Sequence, residues 1–126
     1  MKSIKTDKAP APIGPYSQAI ESNGLIFTSG QIAIDPGTNN LIDGDVVAQA
    51  KQVFENLKAV LEAAGSGLNH VVKTTIYLKN MNDFGQVNEI YAQYFGQAVP
   101  ARSTVEVACL PKDVLIEVDC IAEKMV

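Results

Sequence analysis

The stretch PARSTVEV, residues 100–107, decides how the rest of the chain is laid out. A β-strand turns successive side chains to opposite faces of its sheet. Ser103, Val105 and Val107 then share one face, and Arg102, Thr104 and Glu106 share the other. The first set is suited to a core. The second carries a guanidinium and a carboxylate, which require water, a partner chain or a ligand. The pattern therefore predicts that Arg102 stands on the face of the sheet that the core does not use.

The segments on either side extend this division. Beyond the turn LPKD, residues 110–113, the run VLIEVDCIAEK puts Val114, Ile116, Val118, Cys120 and Ala122 on an apolar face. Leu115, Glu117, Asp119 and Ile121 fall on the other. Upstream, VVKTTIYLK, residues 71–79, is rich in β-branched residues and alternates as a strand does. SQAIES and LIFTSGQIAI are further strand-like runs, separated by Asn23-Gly24, a pair that favours a two-residue hairpin turn. The three prolines and the glycine of KAPAPIGPY, residues 8–16, predict an extended loop, and DPGTNN, residues 35–40, a turn or loop.

Between these runs the hydrophobic period lengthens. Val46, Ala50, Val53, Leu57, Val60 and Ala64 recur at steps of three and four, and Val47, Phe54 and Leu61 widen the stripe. This predicts an amphipathic helix of roughly five turns, capped by Asp45 and ended by Gly65. A second helix is predicted from about Asp83 to Phe95, with Phe84, Val87, Tyr91 and Tyr94 or Phe95 on one side. The order is hairpin, helix, strand, helix, strand, strand. That order predicts an α+β layer with both helices on one face of a sheet of some four to six strands. The face left uncovered would carry Arg102, Thr104, Glu106, Leu115, Glu117 and Ile121. A mixed apolar and charged surface of this kind reads as a subunit interface that also contains a site.

A chain of 126 residues is predicted to form one domain, 1–126, large enough to bury a core without disulfides or metal. Its 47% hydrophobic and 19% charged residues are those of an ordinary globular protein. A net charge of −4 without Lys/Arg clusters is a poor basis for holding a phosphate backbone. Cys109 and Cys120 form no CxxC pair and His70 is the single histidine, so no zinc ligand set is present in the sequence. Unclustered cysteines fit a reducing cytosol, and neither a signal-peptide h-region nor an apolar run of membrane-spanning length is found. The chain reads as cytoplasmic.

Several side chains admit two readings each. Arg102 is either a solvated surface residue or a planar fork that grips a carboxylate by two parallel hydrogen bonds. Glu117 is an outward-facing or ion-paired residue or, if part-buried, a proton acceptor near neutral pH. Tyr16 either pins its loop to the sheet or offers a hydroxyl to a pocket. Ser29-Gly30 ends a strand, where a glycine permits close approach of another chain or a ligand. Cys120 reads as core, Cys109 as a packed loop residue without an adjacent base, and His70 as a surface residue. No P-loop, GxGxxG or GxSxG pattern occurs.

Taken together, APIGPYSQAI, FTSGQI, VVKTTIYL with MNDFGQVNEIY, and PARSTVEVACLPKDVLIEV resemble the RidA, or YjgF, family of reactive intermediate deaminases. The likeness runs from about Ile4 to Ala122. It implies a chorismate-mutase-like α+β fold and a homotrimer, with a central barrel-like core, helices outside and a cleft at each subunit interface. The implied activity is hydrolysis of 2-imino or enamine acids, such as 2-iminobutanoate and 2-iminopropanoate, to 2-keto acids and ammonia. Such imines are released by pyridoxal-phosphate enzymes of the threonine dehydratase type. No metal or organic cofactor is implied.

Carried over by position, the resemblance makes Arg102 the residue that holds the substrate carboxylate and Glu117 the residue that orients or activates water. Tyr16 would close the pocket from the neighbouring subunit, and Ser29 and Gly30 would line the cleft. Phe84 and Asn88 lie in a matching helical segment without a defined role. Thr104 stands where many relatives have cysteine, and Cys109 where they often have arginine. A hydroxyl at 104 can still donate to a bound carboxylate, but thiol chemistry is not carried over. The rival reading is a non-catalytic module that binds 2-keto acids. A third, RNA cleavage, has been attached to some relatives and is disfavoured by the acidic composition.

Overall fold

In the computed structural model, which describes residues 1–125, Asn23 and Gly24 both take positive φ, 52° and 79°. They turn strand β2 (Ala19–Ser22) back onto β3 (Leu25–Thr28), as the Asn-Gly pair predicts. The first long helix also follows its sequence signals. In α1 (Val46–Ala63) the Ala48 amide donates to Asp45 Oδ1 at 3.0 Å and caps the start. At the other end Gly65 takes φ of 77°, its amide donates to Glu62 O at 3.1 Å, and the Ser66 amide donates to Leu61 O at 2.8 Å. These two bonds make a Schellman motif, which only a residue at ease with positive φ can close.

The remaining elements are β1 (Lys2–Ile4), β4 (Ile34–Asp35), β5 (Asn40–Leu41), β6 (Val71–Leu78), α2 (Phe84–Phe95), β7 (Ala101–Glu106) and β8 (Ile116–Glu123). Six strands form one mixed sheet in the order β1-β2-β3-β8-β6-β7, while β4 and β5 pair as a separate ribbon. Only β6 and β7 are parallel. A parallel pair needs a crossover, and α2 supplies it. In the same way α1 carries the chain from β3 to β6, with β8 inserted between them. Both crossovers advance in one direction across the sheet. Given the right-handed preference of such connections, both helices land on the same face.

That face holds the core. Ile4, Ala19, Ile26, Ile76, Leu78 and Val118 are buried beneath Val53, Phe54, Leu57, Val60 and Leu61 of α1 and Val87, Ile90 and Phe95 of α2. Phe54 joins the two helices, its ring centroid lying 5.2 to 6.0 Å from those of Tyr91, Tyr94 and Phe95. The expected architecture of two helices on one face of a mixed sheet is the observed one. Strand β1 and the β4–β5 ribbon are additions to it. LIFTSGQIAI is not one strand: β3 stops at Thr28, Gln31 makes a single bridge to Val118, and Ile34 begins β4. No helix among the described residues is long and apolar enough to cross a membrane.

The register corrects one expectation. Arg102 lies opposite Thr74 and Thr104 opposite Ile76, and Thr74 and Ile76 are both fully buried toward the helices. Arg102 and Thr104 therefore stand on the helix side of the sheet. Ser103 and Val105 lie opposite Thr75 and Tyr77 on the open side, where Glu117 also faces Tyr77 across β6–β8. The reason is local. Strand β7 is an edge, and beside it α2 presents Phe84, Asn88 and Tyr91, which can take a guanidinium. Val105, the valine of β7, faces outward instead and is 42% exposed.

A buried amide fixes α1 against the segment after β3. Asn56 Nδ2 donates to Ile32 O at 3.2 Å and Ile34 O at 2.9 Å, while its Oδ1 accepts from Gln52 Nε2 at 3.0 Å. Asn56→Leu keeps the branched outline of the side chain but removes the amide donor from Ile34 O and leaves Ile32 O with only the Ile34 amide, 2.8 Å. It is expected to lower the unfolding free energy by about 2 kcal/mol, read from urea denaturation of the two proteins. An unchanged midpoint would show that the amide does not anchor the segment.

Candidate functional site

The residues singled out in the sequence gather into two separate groups. The first is built on β7 and α2. Arg102 Nη1 donates to Asn88 Oδ1 at 2.6 Å, and the guanidinium carbon lies 5.2 Å from the ring centroid of Phe84 and 4.8 Å from that of Tyr91. The Tyr91 hydroxyl is in turn 2.8 Å from that of Thr74 on β6. A half-buried cation is thus held by one charge-assisted bond and two aromatic faces. Thr104, two residues on, shares this face, and its Oγ1 is buried with no hydrogen-bond partner among the described residues. An open cleft beside Arg102 is bounded by Asn88, Tyr91, Phe95, Val99 and Pro100. At its rim Val99 takes φ of 45°, a costly conformation for a β-branched side chain.

The second group lines a cleft of about 500 Å³ that includes Ile13, Tyr16, Ser29, Gly30, Lys112 and Glu117. The proline-rich loop forms one wall because Gln18 staples it down. The buried Gln18 side chain donates to Thr6 O at 3.0 Å and Pro10 O at 2.9 Å and accepts from the Thr6 amide at 2.7 Å. Within the loop, the Tyr16 hydroxyl accepts from the Ile13 amide at 3.1 Å, and the Tyr16 amide donates to Gly14 O at 2.9 Å. Tyr16 itself remains 49% exposed. Ser29 Oγ donates to Ser17 O at 2.5 Å, which ties the end of β3 to the same loop. Across the cleft, Lys112 and Asp113 both take positive φ, 55° and 56°, and Asp113 is paired with Lys79 at 2.9 Å.

Gly30 and Glu117 are in intimate contact. A β-carbon at position 30 would fall 2.8 Å from Glu117 Cδ and would overlap Oε2. The carboxylate lies where it does because residue 30 has no side chain. Burial pushes the Glu117 carboxyl above its ordinary value, and the neighbouring Asp119 charge adds to the effect. Asp119 is also raised by burial, against the opposing influence of its bond from the Tyr77 hydroxyl, 3.0 Å, and of Lys73.

The structure therefore brings Phe84, Asn88, Arg102 and Thr104 together, and separately Tyr16, Ser29, Gly30 and Glu117. It does not bring the two groups together within one chain. Arg102 is aligned with Thr74, and Glu117 with Tyr77, on opposite faces of the sheet. Strand spacings separate their backbones by about 10 Å along β6 and about 10 Å across it. Four contributors were not apparent in the sequence: Tyr91 as a seat for the guanidinium, Gln18 as the staple of the loop, Lys112 in the cleft wall, and Asn56 beneath it. The helical period puts Tyr91 in the core stripe, and the ring does pack against the core as well. No cluster of three or more His, Cys, Asp or Glu side chains suited to a metal ion occurs among the described residues.

The chain is similar to known proteins over nearly its whole length. The sequence pattern of the family described as Endoribonuclease L-PSP matches residues 6–124. A RutC family protein of Synechocystis is 62% identical over 124 residues, which cover 97% of this chain and 95% of the relative. The 2-iminobutanoate/2-iminopropanoate deaminase of Mus musculus is 51% identical over 121 residues, 96% of this chain and 90% of the mouse protein. The crystal structure of the E. coli YjgF gene product superposes with a TM-score of 0.93 at 48% identity, covering 99% of this chain and 100% of that one.

The contact between positions 30 and 117 has a measurable outcome. In a carbon-detected NMR titration, the Glu117 carboxyl is expected to titrate above the ordinary glutamate value. In Gly30→Ala the displaced carboxylate moves toward water, and its midpoint is expected to fall toward that value. Coincident curves for the two proteins would mean that Gly30 does not seat Glu117.

Proposed function

The chain belongs to the endoribonuclease L-PSP family, that of the RidA and YjgF proteins, and on that premise we propose that it is a hydrolytic deaminase of 2-imino acids. Its products would be a 2-keto acid and ammonia, and its substrates those in the name of the mouse relative, 2-iminobutanoate and 2-iminopropanoate. One observation carries the reading. A guanidinium suited to a carboxylate and a carboxyl suited to proton transfer lie on opposite faces of one sheet, each beside its own open cleft. They can serve one small acid only if the Arg102 half of one copy meets the Glu117 half of the next. Three such contacts close a ring, a homotrimer with three equivalent sites.

In that assembly Arg102 keeps its bond to Asn88 and offers its remaining N–H groups to the substrate carboxylate. The unpartnered Thr104 hydroxyl stands on the same side and adds a donor. Held in this way, the protonated imine presents its carbon to water on the Glu117 side, and orientation alone supplies a large part of the acceleration. Glu117 accepts a proton from the attacking water as the C–O bond forms. It then returns that proton to nitrogen, and as the C–N bond breaks the carbinolamine hydroxyl gives its proton to the carboxylate and on to the departing ammonia, leaving a ketone and ammonium. Burial and the Asp119 charge raise the Glu117 carboxyl above its ordinary value, which strengthens it as the acceptor in the first step. Tyr16 and Ser29-Gly30 wall the same space. RNA cleavage, the activity in the family's description, gains no support from a chain of net charge −4.

Keto acid release from freshly generated 2-iminobutanoate, coupled to a threonine dehydratase, tests the proposal. Arg102→Ala is expected to lower kcat/KM by roughly 100-fold or more while the fold and assembly persist. Glu117→Gln is expected to lower kcat by roughly 100-fold while 2-oxobutanoate affinity changes only a few-fold. Full activity in either variant, or keto acid binding without any imine hydrolysis by the parent protein, rejects the mechanism. A further expected outcome concerns the shared site. Trimers refolded from an equal mixture of the two inactive variants should regain about a quarter of the parent sites, because some interfaces then combine an intact Arg102 with an intact Glu117. No recovery would place both residues' action within one chain.

A further inference from the structure

On the open face of the sheet, β6 and β8 bring three acidic or phenolic groups together. Glu117 and Asp119 are two residues apart on β8 and point to the same side. Tyr77 lies directly opposite Glu117, yet its hydroxyl leans along the strand and donates to Asp119 Oδ2 at 3.0 Å. Asp119 lies opposite Thr75, and Lys73 stands further along β6 on that side. The other groups that face Glu117 are Tyr16 from the proline-rich loop and Lys112 from the turn before β8. Asp119 is half-buried and has no ion-pair partner within salt-bridge distance among the described residues; Tyr77 provides its one side-chain hydrogen bond. We infer that Asp119, held by Tyr77, is a positioning residue for Glu117, placing a second negative charge beside the carboxyl that exchanges the proton.

The physical basis is mutual repulsion in a partly desolvated place. Two like charges on one strand face cannot both ionise as easily as either alone, and the pair titrates as a unit. The Tyr77 hydroxyl favours the anion on Asp119, which keeps the repelling charge beside Glu117. Burial acts on both carboxyls in the same upward sense, and the neighbouring charge adds to it at Glu117. The inference rests on the role of Glu117 proposed above, and its test separates the two.

The pH dependence of kcat/KM is measured for the full-length assembled protein and four variants: Asp119→Asn, Asp119→Glu, Tyr77→Phe and Glu117→Gln. In the parent, activity rises as Glu117 loses its proton. Asp119→Asn removes the repelling charge, so Glu117 ionises more readily and the acid limb is expected to move down by about half a pH unit or more. KM should change by no more than about twofold, since Asp119 does not touch the substrate. Asp119→Glu is expected to return the limb to its parent position. Tyr77→Phe weakens the hold on the Asp119 anion and should move the limb in the same direction by less. A merely structural role would lower the yield or melting temperature without moving the limb. An unmoved limb in Asp119→Asn overturns the inference. If that variant does not assemble, an unmoved limb in Tyr77→Phe overturns it. A Glu117→Gln protein that keeps the parent rate and limb defeats instead the mechanism on which the inference rests.

Discussion

Everything in this molecule depends on which side of the sheet a side chain takes. The parallel β6–β7 pair and the β3-to-β6 connection each need a helix, and both connections run the same way across the sheet. The right-handed preference then commits one face to α1 and α2 and leaves the other open. Strict alternation along each strand does the rest. Positions aligned with Thr74 and Ile76 belong to the helix side, and positions aligned with Thr75 and Tyr77 to the open side. Arg102 and Glu117 fall on different sides for this reason alone, before any consideration of chemistry.

Local signals in the sequence were reliable wherever the backbone itself needs a particular residue. Asp45, Gly65 and Asn23-Gly24 mark a cap, a helix end and a hairpin, and each forms the predicted hydrogen bonds or dihedral angles. The long helices and the β6 and β8 strands follow from their periods. The orientation of β7 did not. Alternation separates Arg102 and Thr104 from Ser103 and Val105 but does not say which set meets the helices. The valine at 105 suggests the core side, whereas it is an apolar position of an outer surface, and Val107 lies beyond the end of β7. Arg102 is accommodated by a partner that only the folded chain reveals, the ring faces of Phe84 and Tyr91 and the amide of Asn88. The site residues were thus identifiable as a set, while their division into two groups depended on tertiary packing. Strand β1 and the β4–β5 ribbon leave no signal in the sequence because two or three residues carry no measurable period.

The seat of Arg102 is an outgrowth of the core rather than a loop feature. Tyr91 stacks on Phe95 with centroids 4.6 Å apart, meets Phe54 edge-on at 6.0 Å, and bonds Thr74 through its hydroxyl. The ring that carries the guanidinium is therefore fixed from three directions. A cation over such a face gains roughly 0.5–2 kcal/mol, and little side-chain entropy remains to be lost when an anion arrives. The Glu117 side is held differently. There the supporting parts are loops, stapled by Gln18 and by the Asn56 amide beneath residues 32–34.

The space between Gly30 and Glu117 gives these two positions a shared mutational fate. Because a β-carbon at 30 would overlap the carboxylate, a larger residue there moves the flexible acid out of its seat. Alanine at 30 with aspartate at 117 is the pairing that restores the fit, whereas either change made alone displaces the acid or leaves a void. Drift in the cleft wall that keeps a seated acid therefore proceeds in coupled steps, and the missing side chain constrains the sequence as an added one would.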